Sequence, residues 1–462
     1  MVRLHPCPCM KRNKVFVALS GGVDSSVAAA LLKSARLDSH GRVRIAEGRR
    51  PEARRSHAGF DVVGIHMKMW DPKDSFQLPA SSFQHDTVCQ QQDIDRRDAI
   101  RVAATLNIPF QTWDFTEEYR AAVVEYMIRE YAAGRTPNPD VMCNRHIKFG
   151  LFLKKALEAG ADYIATGHYV RQGRTDEIVG DDETEGTVQL HQTKRFIKRS
   201  DPPVKLMQAK DANKDQSYFL WTLTQKQLRH CLFPIGEYTK PEVRELARTF
   251  GLPTAEKPDS QGICFIGEID VREFLKHYIP ERKGRVLTAA GKAVGEHEGV
   301  PFYTIGQRQG LGIGGGVPYY VADKEPATNT LIVAEGPYDE KLYRRKLVAT
   351  DENWISSERP ELPLRCWARI RYRQPLQSST VYQFNEFNQF TGERTHQLIN
   401  SSTHQLKVAF DEPQRAVTPG QSVVFYQKPL DTARGRPFGA AQGKPFDAAQ
   451  GYRMLGGAVI AH

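Results

Sequence analysis

Residues 15–32 read VFVALSGGVDSSVAAALL. Val15 to Leu19 form an apolar run too short for a helix before the glycines, which predicts a buried strand. Val27 to Leu32 are apolar with short side chains and predict a helix packed on that strand. Between them lies Ser20-Gly21-Gly22-Val23-Asp24-Ser25-Ser26. A strand, a glycine turn and a helix start bring unpaired backbone N–H groups and the positive end of a helix dipole to one point. A phosphate group is the natural guest, and the three serines add hydroxyl donors. The competing reading is a serine-glycine turn that binds nothing.

The Lys of GxxxxGK[ST] is missing, so this is not the mononucleotide P-loop, and it is not GxGxxG. Ser-Gly-Gly-Xaa-Asp-Ser resembles the pyrophosphate loop of enzymes that cleave ATP between its α and β phosphates and adenylate a substrate.

Outward from this loop, strands and helices alternate. Residues 61–67, 109–114 and 163–166 predict strands; 93–106, 117–133 and 151–159 predict helices. The expected fold class is α/β, a doubly wound parallel sheet over 1–233 with ligands at the carboxyl ends of its strands. Residues 234–294 read as a small central domain. There Thr239-Lys240-Pro241-Glu242 forms a capping box ahead of Val243, Leu246, Ala247 and Phe250 at helical spacing, and a second helix is expected over 270–279. From about residue 295 short strands between glycine and proline turns predict a C-terminal β-barrel. One of its strands, Cys366 to Arg373, would carry Trp367, Arg369, Arg371 and Arg373 on one face. Such a face could grip phosphates or be merely solvated.

Segments 34–59, 172–202, 375–405 and 431–451 read as insertions. The last holds a tandem repeat, GRPFGAAQ at 435–442 and GKPFDAAQ at 443–450, and splits an expected hairpin of 421–426 with 452–460.

The chain has 462 residues and a net charge of +10, which suits a polyanionic partner, although residues 1–60 carry 12 Lys+Arg against 4 Asp+Glu. No apolar run approaches the roughly 20 residues of a membrane span, and the first residues lack a secretory core, so a cytoplasmic protein with no membrane partner is expected. Seven cysteines without any Cys-x-x-Cys pair exclude a secreted disulfide framework and a zinc ribbon. His297 has no second histidine at ligand spacing and is read as a loop residue, so no metal site is expected.

Two cysteines stand in unusual surroundings. Cys143 follows Pro137-Asn138-Pro139-Asp140, and Cys264 sits in Gly262-Ile263-Cys264-Phe265-Ile266-Gly267. Each is either a buried inert thiol or a loop nucleophile on a rigid support. Beside an adenylating loop the second reading gains force, because ATP turns an oxygen into a leaving group that a thiol's sulfur can displace.

Seven segments now stand in order: Ser20–Ser26, Asn138-Pro139-Asp140 with Cys143, Ala165-Thr166-Gly167-His168-Tyr169, residues 214–220 (KDQSYFL), residues 262–267, Thr304-Ile305-Gly306-Gln307-Arg308, and Arg371-Tyr372-Arg373-Gln374. In this order they resemble the bacterial tRNA-specific 2-thiouridylases, members of the PP-loop ATP pyrophosphatases with an adenine nucleotide α-hydrolase-like first domain. The resemblance implies ATP phosphates on Ala18, Leu19, Ser20, Gly21, Gly22, Val23, Asp24 and Ser25, with Met67 and Gly167 at the adenosine part. It implies that Asn138, Pro139 and Asp140 meet the target base, with Asp140 as an acid–base or orienting group. Cys264 would carry a persulfide and Cys143 would resolve it as the partner in a redox-active disulfide. His168, Lys214, Asp215, Gln216, Arg371, Tyr372 and Gln421 match positions that touch tRNA. Also implied are Mg²⁺ with the ATP, and sulfur from a donor, either a sulfur-relay protein or a cysteine desulfurase. Three alternatives stand beside this: an amide-forming ligase of the same loop class, a non-catalytic RNA-binding relic, and an iron–sulfur cluster on Asp140, Cys143 and Cys264.

Overall fold

The computed structural model describes residues 12–37, 42–44, 60–69, 85–173, 190–191, 203–259, 270–314, 316–384, 405–428, 430–431, 436–437 and 451–461. Cys7, Cys9, Cys264 and nearly all of the tandem repeat lie outside these.

The first part of the chain runs β1 (Lys14–Ala18), α1 (Val23–Ser34), β2 (Asp61–Lys68), α2 (His85–Thr105) and β3 (Phe110–Asp114). Next comes α3, one run of Thr116–Tyr119, Arg120–Val124 and Glu125–Ala132, and then α4, one run of Pro139–Met142, Cys143–Phe152 and Leu153–Glu158. In each the middle segment is wound wider, as a π-helix. β4 (Tyr163–Ala165), β5 (Arg171–Gly173), β6 (Lys205–Met207), β7 (Cys231–Leu232), α5 (Lys240–Thr249) and α6 (Val271–Lys276) follow.

The first sheet has the order β7-β4-β1-β2-β3, and every pairing in it is parallel. Both faces are covered, which explains why Val15 to Ala18 of β1 are apolar without alternation. Val15 and Val17 pack with α1, α2 and Ala247 of α5, whereas Phe16 and Ala18 pack with the side of α3 and α4. The chain winds outward from β1 to β3, then returns to β4 on the other side of β1. The order therefore reverses between β1 and β4, and an open α/β sheet binds its ligands in the crevice at such a point. The glycine loop follows β1 and Gly167 follows β4.

A second sheet has the order β9-β8-β11-β10, from β8 (Gly284–Thr288), β9 (Ala293–His297), β10 (Tyr319–Glu325) and β11 (Thr330–Glu335). The C-terminal barrel comprises β12 (Tyr343–Trp354), β13 (Leu364–Arg369), β14 (Gln377–Gln383), β15 (Leu406–Arg415), β16 (Ser422–Gln427) and β17 (Arg453–Ile460). They run β12-β15-β14-β13-β16-β17, and pairing of β12 with β17 closes the ring. β16 and β17 form the hairpin expected around the repeat. β6 then adds to β17, and β5 to β6, so two strands from the first half of the chain extend the barrel's sheet.

Four expectations change. The region from 295 is not one barrel: a separate four-stranded sheet, already begun at Gly284, precedes the closed one. α5 does not belong to a central domain; Val243 and Ala247 are buried in the core of the first sheet. His297 ends a strand, and its ring lies between the Asn329 carbonyl (3.1 Å) and the Gly299 N–H (2.9 Å). The row of guanidiniums on residues 366–373 is absent, since β13 stops at Arg369 and Arg373 turns into the left-handed region at φ 63°.

Arg369 is the clearest reversal. It is 3% exposed and pairs with Asp215, itself 1% exposed, while its guanidinium also donates to the Tyr426 hydroxyl at 2.8 Å. Around it Ser217 meets the Tyr426 hydroxyl at 3.0 Å, and Trp221 donates from Nε1 to the Ser422 hydroxyl at 2.9 Å. This apolar-rimmed ion pair fixes residues 215–221 to the outside of the barrel. Hydrophobic alternation says which face of a strand is polar, but not that another segment covers it.

Candidate functional site

The glycine loop is built for close approach. Gly21 has φ 78°, and a Cβ there would lie 2.1 Å from the Asp95 carbonyl oxygen of α2. Only glycine fits that turn. Gly22 is the N-cap of α1 and offers no side-chain oxygen, so the first N–H groups of the helix are left uncapped. Ser20, Ser25 and Ser26 brace the turn: Ser20 and Ser25 hydroxyls lie 3.1 Å apart, and Ser25 and Ser26 donate to the Gly22 carbonyl at 3.1 and 2.7 Å. Behind the loop, Lys257 donates to Asp95 at 2.8 Å and Asp98 at 2.6 Å, which holds α2 in place.

Gly167 closes the opposite wall. A Cβ on it would stand 2.6 Å from the Ser25 nitrogen, so the turn after β4 touches the loop backbone to backbone. Met67 is buried at the end of β2, beside His66, whose Nδ1 lies 3.1 Å from the Leu19 carbonyl. Burial lowers the His66 pKa, so the ring is neutral at physiological pH.

Charged groups cross the mouth of this crevice. The Asp24 carboxylate accepts from the Tyr169 hydroxyl and from Lys240 Nζ, both at 2.7 Å. Lys240 also reaches Asp259 at 2.7 Å, and Asp259 is paired with Lys214 at 2.6 Å and Arg244 at 2.9 Å. Burial works against the Asp259 carboxylate, but Lys214 and Lys240 outweigh it and draw its pKa down to about 2. Tyr169 is held protonated by burial and by the neighbouring Asp24 charge. The sequence gives no spacing signal for this network, because Asp24, Tyr169, Lys240 and Asp259 are distant in the chain. Lys240 reads there only as the first residue of a capped helix.

The second half of the site starts at α4. Asn138 caps the helix by accepting from the Val141 N–H at 3.3 Å, and Pro139 occupies its first turn. The helix thus begins at Pro139, not at the expected Leu151, and Cys143 lies within it instead of on a loop. Cys143 is 0% exposed and belongs to the core between the first sheet and its helices. It opens the π-helical turns, a local winding often found at functional sites. Asp140 is half-buried one turn earlier. Gln421, from the barrel, donates to the Thr136 and Pro137 carbonyls at 3.0 and 2.9 Å and so supports the Asn138-Pro139-Asp140 turn.

One chain of contacts joins the two halves. Gln216 accepts from the Tyr169 N–H at 2.9 Å and donates its own N–H to the Tyr169 carbonyl at 2.9 Å. Three residues on, the Phe219 carbonyl accepts from Asn144 Nδ2 at 3.1 Å, beside Cys143. His168 sits between Phe149 of α4 (5.7 Å) and Phe233 (6.4 Å), with Nδ1 2.8 Å from the Thr166 hydroxyl. Burial, and then the charge of Lys148, depress its pKa well below 6.5.

Of the residues matched to tRNA contacts, Tyr372 packs against Phe219 with ring centroids 4.6 Å apart and planes tilted by 48°, and flanks this region. Asp215 is wholly engaged by Arg369, Ser217 and nearby N–H groups. Arg371 Nη2 is spent on the Ile305 carbonyl (2.9 Å), the Ala416 carbonyl (3.2 Å) and the Thr418 hydroxyl (2.8 Å). Both act here as framework. Among the described residues no group of three could hold a metal ion, and no helix is long and apolar enough to cross a membrane.

Family models match most of the chain: a tRNA methyl transferase HUP domain over residues 13–45 and 52–268, a tRNA methyl transferase PRC-barrel domain over 272–335, and an aminomethyltransferase beta-barrel domain over 344–430. A tRNA-specific 2-thiouridylase MnmA 2 of Geobacillus kaustophilus is 43% identical over 415 residues, which is 90% of this chain and 91% of that protein. One from Alkaliphilus oremlandii is 40% identical over 419 residues, 90% of this chain and 94% of that protein. A solved U34-tRNA thiolase NcsA from Methanococcus maripaludis is 16% identical at a TM-score of 0.30, covering 59% of this chain and 69% of that one. With an uncapped glycine loop at the switch point of a parallel sheet and relatives matched over nine-tenths of its length, this chain belongs to the tRNA-specific 2-thiouridylase family.

Proposed function

We propose that the protein is a cytoplasmic tRNA-uridine 2-sulfurtransferase, which uses ATP to replace the 2-oxygen of the wobble uridine by sulfur. The contact chain from the uncapped helix α1 through Tyr169 and Gln216 to Phe219, Asn144 and Cys143 carries this reading. It is what a reaction needs when an ATP α-phosphorus and a thiol must work on one base.

A uridine 2-carbonyl has no leaving group of its own. Its oxygen attacks the α-phosphorus of ATP and pyrophosphate departs, so that AMP becomes the leaving group at C2. The backbone N–H groups at Gly21 to Ser25 bind the phosphates, and the helix dipole favours their charge. Gly167 and Met67 flank the adenosine. Mg²⁺ bound with the ATP would shield the charge of its phosphates, and among the described residues no carboxylate cluster is placed to hold the ion by itself. Asn138 and Asp140 orient the extruded base, since chemistry on a folded anticodon loop needs it swung out.

Sulfur arrives from a donor protein as a persulfide on Cys264. Its outer sulfur attacks C2 and expels AMP, after which the Cys143 thiolate cleaves the S–S bond, releasing 2-thiouridine and forming the Cys143–Cys264 disulfide; or Cys143 first forms that disulfide and frees hydrosulfide, which attacks C2; either way AMP leaves with the former O2. A disulfide formed in that way needs a thiol reductant before the next cycle. Because Cys143 has no exposed surface in this conformation, RNA binding must uncover it. Incubation with ATP, unmodified tRNA and a persulfide donor should yield 2-thiouridine by nucleoside mass spectrometry. The Cys143→Ser protein should release pyrophosphate without thiolating. Full thiolation by that variant would overturn the roles given to the cysteines.

A further inference from the structure

Among the described residues Lys240 is the cation paired with a member of the phosphate loop. It is 8% exposed, and its Nζ lies 2.7 Å from both Asp24, inside the loop, and Asp259. The ammonium stands 5.9 Å over the Tyr169 ring, which follows β4 on one side of β1; Met67 ends β2 on the other side. A nucleotide with its adenosine beside Met67 therefore extends its phosphates across the loop towards Lys240. The backbone of Lys240 is fixed: its N–H donates to Asp211 at 2.9 Å, Thr239 and Glu242 cap the helix, and Val243 anchors α5 in the core. Only its flexible four-carbon stem is left to move.

Each partner of Lys240 can release it. Asp259 keeps Lys214 at 2.6 Å and Arg244 at 2.9 Å, and Asp24 keeps the Tyr169 hydroxyl at 2.7 Å. Both carboxylates thus retain a partner when the ammonium turns away. ATP supplies the reason to turn. Phosphates on the N–H groups of residues 21–25 bring negative charge against the Asp24 carboxylate, and like charges so close need a cation between them. Lys240 already touches one of the two.

We propose that Lys240 is a catalytic residue: its ammonium passes from Asp24 and Asp259 to the β- and γ-phosphates of ATP and neutralises pyrophosphate as it leaves. This rests on the ATP-dependent thiolation above and adds the group that stabilises its first leaving group. As the base oxygen bonds to the α-phosphorus, the bond from that phosphorus to the bridging oxygen breaks. Its electron pair goes to pyrophosphate, and the N3 proton of the base passes to water. Charge develops on the β-phosphate, where an ammonium aimed at it lowers the barrier. A compact point charge on a flexible stem suits this transfer between partners. AMP, which lacks those two phosphates, makes no use of Lys240.

Wild type, Lys240→Met, Lys240→Arg and Lys210→Met are titrated calorimetrically with ATP, AMP and inorganic pyrophosphate in the presence of Mg²⁺. Pyrophosphate release is then followed with unmodified tRNA at saturating ATP. Lys210→Met is the control, since it removes an exposed pair with Glu242 of the same helix, 2.9 Å long, and should match wild type. Lys240→Met should bind ATP and pyrophosphate about 10- to 100-fold more weakly. It should release pyrophosphate about 100-fold more slowly even at saturating ATP. Its AMP affinity should be unchanged, which also reports an intact fold, and Lys240→Arg should recover most of the ATP affinity. Wild-type affinity for ATP and pyrophosphate in Lys240→Met would overturn the proposal. So would a parallel fall in AMP affinity in both Lys240 variants, because Lys240 would then only brace the loop. A wild-type protein that neither binds ATP nor releases pyrophosphate with tRNA would instead overturn the thiolation reading itself.

Discussion

Replacing Gly21 by alanine separates the phosphate-loop reading from an inert turn. At φ 78° an L-residue pays about 1–2 kcal/mol for the left-handed conformation alone. The new methyl would also stand 2.1 Å from the Asp95 carbonyl oxygen and 2.8 Å from its carbonyl carbon. Both are backbone atoms of α2, and α2 is anchored by Lys257 through Asp95 and Asp98. The loop must therefore move instead. Overpacking of this kind costs about 1–3 kcal/mol, so the total destabilisation should be about 2–5 kcal/mol. Displacing the loop by about an ångström should cost about 100-fold in tRNA-dependent pyrophosphate release. Gly22→Ala is the matched control, because its Cβ would meet only the Ser20 hydroxyl at 3.5 Å; its stability should stay within about 0.5 kcal/mol of wild type. Denaturant unfolding and a tRNA-dependent pyrophosphate-release assay read the two quantities, and calorimetric titration reads ATP affinity. Wild-type ATP affinity in Gly21→Ala would refute the argument that this turn seats the phosphates.

Asp215→Asn should destabilise the protein by about 3–5 kcal/mol, since Arg369 would be left as a buried uncompensated charge, and Asp215→Leu with Arg369→Met should recover most of it in urea unfolding. His168 gives a pH signature. Its folded pKa lies below 6.5, so the unfolded chain binds a proton that the folded one refuses. Stability from this group is present above pH 6.5 and is lost as pH falls below it, and His168→Gln should flatten that part of the stability–pH curve. Under reducing conditions Cys143 should resist iodoacetamide in the free protein and react once tRNA and ATP are added, as followed by peptide mass spectrometry.

The phosphate loop and the sheet that carries it are legible from residues 15–32 because strand, turn and helix are contiguous there. Period and punctuation also place α5, whose capping box is realised with Glu242 accepting from the Thr239 N–H at 2.6 Å. The start of α4 escapes the same reading: Pro137 and Pro139 look like loop stiffeners, yet Asn138 with Pro139 is a helix-start signal, and that puts Cys143 inside a helix. Long-range pairings leave no local trace. Arg369 alternates correctly as a polar position, but only the fold reveals that Asp215 covers it. The Lys240 bridge between Asp24 and Asp259 is likewise invisible, as its members are contributed by three separate segments.

Activation of the base oxygen by ATP is the claim on which the account stands, and oxygen tracing tests it most directly. A tRNA carrying ¹⁸O at O2 of the wobble uridine is thiolated in a single turnover, and the released AMP and pyrophosphate are weighed by mass spectrometry. The account predicts one ¹⁸O in AMP and none in pyrophosphate. Unlabelled AMP accompanying full conversion to 2-thiouridine would contradict it.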